Sequence, residues 1–211
     1  MSADSPHSDR PSDLARRQQT LEDSAEVTGF GYWSGQDVTL QFRPAASNTG
    51  IVFVREDLSN FHRIPVNVFN RVEVPRRTNL ARYGIAVEMV EHVVAALAGL
   101  QIDNCEIWTS ASELPGCDGS SQPFVDVLLK AGILQQDAWC QPMVLNDTTR
   151  VGNDDSWVLA QPLEEGDAPG SLLLNYQLDY GSQAAIGQQS LEIDIQPDSF
   201  LEGLAAARTF I

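Results

Sequence analysis

The stretch from Val87 to Asp126, V-E-M-V-E-H-V-V-A-A-L-A-G-L-Q-I-D-N-C-E-I-W-T-S-A-S-E-L-P-G-C-D-G-S-S-Q-P-F-V-D, decides the fold of this chain. Val90, Val94 and Leu97 recur at the spacing of one apolar helical stripe, and the following glycine is a helix-ending signal. A second stripe has small side chains around one imidazole: His92, Ala95, Ala96 and Gly99. The stretch therefore predicts a helix with two buried faces, a strand over 104–109, a polar loop and a second helix over 124–131.

The rest of the chain is predicted to form mostly strands. Apolar and polar residues alternate between Gly and Asn punctuation, and Leu172, Leu174, Tyr176 and Leu178 predict a strand with one buried face. Ser199 and Glu202 have the spacing of a capping box, so a helix is expected through about residue 207. Strands with a few helices indicate an α+β fold. The predicted strands are 18–27, 37–43, 50–55, 64–69, 72–74, 142–151, 156–161, 172–179 and 191–196.

Composition narrows the classes of function. The chain has 211 residues and a formal net charge of −16, which repels phosphate backbones and argues against nucleic-acid binding. Arg76, Arg77 and Arg82 are the one local concentration of cations near the central stretch; a solvated face is the favoured interpretation, and contact with an anionic substrate is the alternative. No apolar run is long enough for a transmembrane segment, and a cytoplasmic location is expected.

The three cysteines, Cys105, Cys117 and Cys140, form no C-x-x-C pair. An odd number without such pairing predicts free thiols, neither a disulfide framework nor a thiolate zinc site. Among the histidines, His62 is expected on an exposed strand edge, and His7 lies in a polar tail without functional weight.

The run V-E-H-V-V-A-A-L-A-G-L-Q-I-D-N followed by E-L-P-G-C-D-G-S-S-Q-P-F resembles the signature of the UDP-3-O-acyl-N-acetylglucosamine deacetylases, the zinc amidases of lipid A biosynthesis. The resemblance extends from about residue 18 to residue 211, roughly the first two-thirds of a family member. It implies a two-domain β-α-α-β sandwich in which the helices of both domains meet. Accordingly, we expect a disordered tail (1–17), a first α+β domain (18–138) and an incomplete second domain (139–211).

The resemblance also assigns roles to residues. It implies that His92 is a ligand of Zn²⁺, that Glu91 is the general base, and that Thr209 donates its hydroxyl to the oxyanion. Phe210 and Leu80 would line the approach of a nucleotide-sugar lipid substrate. Asp118 is expected to hold its loop by hydrogen bonds.

The chain also departs from the family pattern. Trp33 and Gln183 stand where the family has histidines, and Met89 stands in place of a threonine. The family's other two zinc ligands, in an H-K-x-x-D-x-x-G-D segment, and its general-acid histidine have no counterpart in these 211 residues.

Two hypotheses therefore remain open. One is a zinc-dependent deacetylase that removes acetate from UDP-3-O-acyl-N-acetylglucosamine. The alternative is a non-catalytic or truncated homologue that keeps the fold and binds a nucleotide sugar or a partner without a complete metal site. Taken alone, an acidic residue beside a histidine in a first helical turn is more typical of structure than of catalysis. An incomplete second domain should expose apolar strand edges, which predicts association through that domain.

Overall fold

The structure is a computed structural model that describes residues 15–164 and 170–209. Its strands and two longer helices follow one another in a mixed order, so the α+β class predicted from the sequence is confirmed. The strands are β1 (Arg17–Leu21), β2 (Ala25–Phe30), β3 (Asp37–Pro44), β4 (Ile51–Arg55), β5 (His62–Pro65), β6 (Arg71–Val74), β7 (Arg77–Arg82), β8 (Ile85–Glu88), β9 (Cys105–Thr109), β10 (Ile133–Trp139), β11 (Thr149–Gly152), β12 (Trp157–Ala160), β13 (Leu173–Asp179) and β14 (Gln188–Asp194).

The central sheet has five strands in the order β2-β3-β9-β4-β5. β4 and β9 run parallel, and the other neighbours are antiparallel. Along β3, Val38, Leu40 and Phe42 are buried and alternate with more exposed residues, because successive side chains of a strand point to opposite faces. His62 lies on the edge strand β5, as the sequence predicted.

Two helices cover the buried face of this sheet: α1 (Glu91–Gly99) and α2 (Gln122–Ala131). α2 carries Pro123 in its first turn, where a missing N–H costs nothing, and Gly132 ends it at φ +81°. Phe124 of α2 meets Phe42 of the sheet edge to face, with 6.5 Å between ring centroids. Both predicted helices of the central stretch are therefore present.

The first predicted strand, 18–27, is wrong as a single element, because the chain breaks it into β1 and β2. The two halves have different partners: β1 pairs with β10, and β2 pairs with β3. At the break, the N–H of Glu22 donates to the carbonyl of Gly132 at 2.9 Å. The segment between the predicted helix over 124–131 and the predicted strand over 142–151 consequently contains β10. This pairing joins residues more than a hundred positions apart, and local alternation carries no such information.

The last residues of the expected tail, Arg16 and Arg17, make structural contacts. The guanidinium of Arg16 makes two hydrogen bonds of 2.7 Å to the carboxylate of Asp103, and Arg17 begins β1. This ion pair raises the pKa of Arg16. The first fourteen residues of the predicted tail, with His7, lie outside the described residues.

Three smaller sheets and one short helical segment complete the described chain. The strands β6, β7 and β8 form an antiparallel sheet of their own, and β11–β12 and β13–β14 are two-stranded hairpins. Pro197–Ser199 begins a short helical segment that continues as a π-helical turn over Phe200–Leu204. Its capping box joins Gln196 and Ser199, so the predicted Ser199–Glu202 box is wrong.

None of the helices in the described residues is both long and apolar enough to cross a membrane. The division of the chain into two domains stays a prediction.

Candidate active site

The start of α1 is fixed by a tight reversal of the chain at Met89. Its φ is +62°, a left-handed conformation that is uncommon for residues other than glycine. The N–H of Met89 donates to Oδ1 of Asn79 at 3.3 Å, and the N–H of Val90 donates to the carbonyl of Thr78 at 3.1 Å. Strand β7 therefore determines where α1 begins and where Glu91 and His92 lie.

Glu91 is held by one of its two carboxylate oxygens. Oε2 accepts a hydrogen bond of 3.1 Å from the N–H of Thr78, while Oε1 has no hydrogen bond from any residue that the structure describes. Glu91 also borders an open cavity of about 420 Å³ between α1, β7 and the turn before β6. A carboxylate anchored through one oxygen keeps the other available to accept a proton.

The walls of this cavity are mostly apolar. Leu80, which the sequence analysis placed near the substrate, lies in the wall together with Thr78, and Arg71 is its one basic residue among those described. The remaining lining residues are Val66, Asn67, Val68, Val90 and Val94. A mostly apolar wall with a few polar side chains is typical of ligand sites.

His92 follows Glu91 in the first turn of α1 and is half-buried. Its imidazole makes no hydrogen bond or ion pair with other residues in the described ranges, so neither ring nitrogen takes part in a structural contact there. Adjacent helical residues point about 100° apart, so Glu91 and His92 face different directions from the same turn. Within the described ranges, no cluster of three or more His, Cys, Asp or Glu side chains is arranged to hold a metal ion. His92 alone is not a complete zinc site.

The glycine hairpin, residues 31–36, carries Trp33 where the family pattern has histidine. Trp33 is 66% exposed, and the guanidinium carbon of Arg77 lies 5.4 Å from its ring centroid. Arg77 also forms an ion pair of 3.0 Å with Glu88. Arg82, another member of the predicted arginine cluster, contacts the ring of Tyr83 at 4.8 Å. Arg77 is therefore half-buried and takes part in structural contacts, whereas Arg76 and Arg82 are exposed.

Thr209 lies against the loop before α2. Its N–H donates to the carbonyl of Gly119 at 2.9 Å, and the neighbouring Arg208 pairs with Asp118 at 3.5 Å. Asp118 holds its loop as expected, because its Oδ1 accepts hydrogen bonds from the N–H and hydroxyl of Ser120 at 3.0 and 2.7 Å. These bonds from Ser120 lower the pKa of Asp118.

The structure thus brings together some of the residues singled out in the sequence. Glu91 and Leu80 border one cavity beside His92, whereas Thr209 is placed by the loop at Gly119, and no hydrogen bond within the described part of the chain joins it to Glu91 or His92. Gln183 is exposed in the turn between β13 and β14. Phe210 lies outside the described residues.

Glu113, which has no role in the predictions from sequence, lies against the glycine hairpin. It is 4% exposed, and its carboxylate accepts hydrogen bonds of 2.8 Å from the N–H groups of Trp33 and Ser34. Burial acts to raise the pKa of Glu113, but these donors and nearby Arg77 outweigh it and lower the pKa below its ordinary value. The available signal in the sequence was a glutamate directly before Leu-Pro, within a stretch that was otherwise predicted to be a polar loop.

Known proteins share sequence with most of this chain. Residues 18–211 match the family model of the UDP-3-O-acyl N-acetylglycosamine deacetylases. The chain belongs to this family. The matched span includes the whole central stretch, both predicted helices and the segment that carries Thr209.

Curated relatives in the deacetylase family are 36–38% identical to the chain. A UDP-3-O-acyl-N-acetylglucosamine deacetylase of Psychrobacter arcticus is 38% identical over 194 residues, which cover 92% of this chain and 59% of that protein. The deacetylase of the same name from Shewanella denitrificans is 36% identical over 92% of this chain and 62% of its own length. A bifunctional enzyme LpxC/FabZ of Chlorobaculum tepidum is 37% identical, with 40% of its length covered. The chain thus spans about three-fifths of the length of the deacetylases it matches.

Proposed function

We propose that this chain carries the general base and one zinc ligand of a deacetylase that acts on UDP-3-O-acyl-N-acetylglucosamine. The observation that carries the proposal is the position of Glu91, anchored through Oε2 and bordering a cavity next to His92. The names of the relatives support the substrate class. The cytoplasmic location expected from the sequence remains part of the same proposal.

In this proposal Glu91 takes a proton from the attacking water through its free oxygen, Oε1. General bases in such positions contribute roughly 10²- to 10⁴-fold to the rate. The Thr209 hydroxyl stabilises the negative charge that develops on the amide oxygen, and Leu80 contacts the apolar part of the substrate. Arg71, in the cavity wall, offers a positive charge to an anionic group.

His92 supplies one of the zinc ligands. Because the described residues contain no set of three donors arranged to hold a metal ion, the other ligands would come from residues outside the described ranges. Bound zinc would supply Lewis-acid polarisation of the substrate carbonyl. The contribution of this chain is the general base, one imidazole and a cavity wall.

The test is acetate release from UDP-3-O-acyl-N-acetylglucosamine by the purified protein, with zinc content measured on the same samples. Glu91→Gln should lower kcat by about 10²-fold or more while zinc stays bound, and His92→Ala should lose the zinc. Glu26→Gln, an exposed change on β2, is the matched control.

Equal activity of Glu91→Gln and Glu26→Gln would contradict the role of Glu91. Substrate binding without zinc and without turnover in the unaltered protein would overturn the proposal and favour the non-catalytic homologue.

A further inference from the structure

Glu113 joins two elements of the candidate active site through its side chain and its backbone. The side chain binds the glycine hairpin: Oε1 accepts from the N–H of Trp33, and Oε2 accepts from the N–H of Ser34, each at 2.8 Å. None of the ion pairs among the described residues includes Glu113. The buried carboxylate is therefore stabilised mainly by donors of one hairpin, the backbone N–H groups of Trp33 and Ser34 and the Ser34 side chain, with a further contribution from the charge of Arg77.

The backbone around Glu113 binds the end of β8, directly before α1. The N–H of Glu88 donates to the carbonyl of Ser112 at 2.8 Å, and the N–H of Leu114 donates to the carbonyl of Glu88 at 3.0 Å. These bonds form a parallel bridge between Glu88 and Glu113. Glu88 is three residues before Glu91, so the strand segment at Glu113 also fixes the start of α1.

The glycine hairpin and the loop that carries Glu113 and Gly116 approach each other closely, so residues larger than glycine would not fit at two positions. A Cβ atom on Gly31 would lie 2.5 Å from Oε2 of Glu113, and one on Gly116 would lie 2.3 Å from the Tyr32 ring. The Tyr32 hydroxyl in turn donates to the carbonyl of Gly116 at 3.0 Å. Both glycines therefore permit the close contact that brings the hairpin N–H groups within reach of the carboxylate.

On the solvent side, Arg77 contacts the same two elements. It lies over the ring of Trp33 and pairs with Glu88. Arg77 and Glu88 are the other charged groups at this junction. The exposed ring of Trp33 is thus held beside the segment from which Glu91 and His92 project.

We propose that Glu113 is a positioning residue of the candidate active site: its carboxylate holds the glycine hairpin, with Trp33 at its tip, in a fixed place relative to the start of α1. The interpretation of this junction as part of an active site rests on the proposed function. The hydrogen bonds themselves can be tested without zinc or substrate, so a failure of the deacetylase proposal would leave the test intact.

The experiment is hydrogen exchange of the 211-residue chain, read by mass spectrometry on peptides that cover the hairpin. Glu113→Gln keeps the side-chain shape, but its amide NH₂ faces a backbone N–H, so one hydrogen bond is lost and two donors oppose each other. The hairpin peptide should exchange at least roughly tenfold faster, whereas peptides of β3 and β9 should not change.

Two further variants separate positioning from general stability. Glu113→Asp keeps two acceptor oxygens on a shorter side chain and should restore part of the protection. Glu106→Gln removes a carboxylate of β9 that pairs with Arg63 and should leave the hairpin unchanged. Unchanged hairpin exchange in Glu113→Gln, or equal loosening of the whole sheet by Glu113→Gln and Glu106→Gln, would overturn the inference.

The unaltered chain gives a second measurement in case Glu113→Gln does not fold. The pKa of Glu113 is lowered in the folded chain from its ordinary value of 4.5. The hydrogen bonds are therefore complete above pH 4.5 and are lost as the pH falls through the lower, folded-state pKa. Protection of the hairpin should decrease over that window before protection of β3 and β9 does. Simultaneous loss in all three would count against the role of Glu113.

Discussion

Two regions have strands with similar alternation of apolar and polar residues: the core region, residues 17–139, and the hairpin segment, residues 149–194. Among the residues that the structure describes, only the core region buries its apolar side chains. Every buried hydrophobic side chain in the described ranges lies between Leu21 and Leu128 or in the C-terminal helical segment, at Phe200 and Ala205. In the hairpin segment, Leu174 and Tyr176 are exposed although they alternate as regularly as the buried residues of β3. The buried face predicted for β13 is therefore wrong in this structure. Alternating apolar residues place apolar side chains on one face of a strand, but burying that face requires a second layer of structure. The helices supply such a layer only to the core region.

The largest expected effect is the loss of a side chain at the contact between α2 and the sheet. Phe124 is 1% exposed, so Phe124→Ala leaves a cavity and should lower the free energy of unfolding by about 3–5 kcal/mol. Urea denaturation followed by circular dichroism measures the change. Tyr176→Ala in the hairpin segment, at a side chain that is 53% exposed, is the control and should cost less than about 1 kcal/mol. Similar losses in both variants would remove the distinction between the two regions.

A smaller effect is expected where the chain beyond the hairpin segment returns to the core. A Cβ atom on Gly99 would lie 2.3 Å from the ring of Phe200, so Gly99→Ala should displace that ring and destabilise the protein by about 1–3 kcal/mol. The improved helix propensity of alanine, up to about 1 kcal/mol, offsets only part of the clash. The same denaturation experiment applies.

Gly203→Ala is the matched control for Gly99→Ala. Its Cβ would meet the nearest side chain, Ile193, at an ordinary contact distance of 3.5 Å. This variant should be neutral or slightly stabilising. If Gly99→Ala were equally neutral, Phe200 would not be packed against α1 in solution.

The smallest effect on stability is expected from a charge on the exposed face of the hairpin segment. Val158 is 72% exposed on β12, so Val158→Glu should change the free energy of unfolding by no more than about 0.5 kcal/mol. It should nevertheless reduce the self-association predicted for these apolar strands, as measured by sedimentation velocity over a range of concentrations.

Phe69→Glu is the comparison in the core region. Phe69 is 93% exposed in the turn before β6, isolated from the hairpin segment in sequence, and should not affect association. A monodisperse monomer at high concentration, for the unaltered chain, would contradict association through the hairpin segment.

The central stretch shows how far local sequence patterns reach. The helix with Glu91 and His92, the strand after it and the helix ending at Gly132 could be predicted because periodicity and helix-ending residues are local properties. The strands β7 and β8 were missed, although Leu80 of β7 was singled out, since both strands are short and bounded by turn residues. The importance of β7 is clear only from its hydrogen bonds to Val90 and Glu91.

By itself, the sequence determined the α+β class, the family resemblance and the candidate residues Glu91, His92, Leu80 and Thr209. Only the tertiary structure decided that β1 pairs with β10, that Glu91 is anchored by Thr78 and borders a cavity, and that Glu113 joins the glycine hairpin to the start of α1. The physical reason is that a carboxylate's role depends on which N–H groups surround it. In this protein the donors to Glu113 come from residues about eighty positions earlier in the chain.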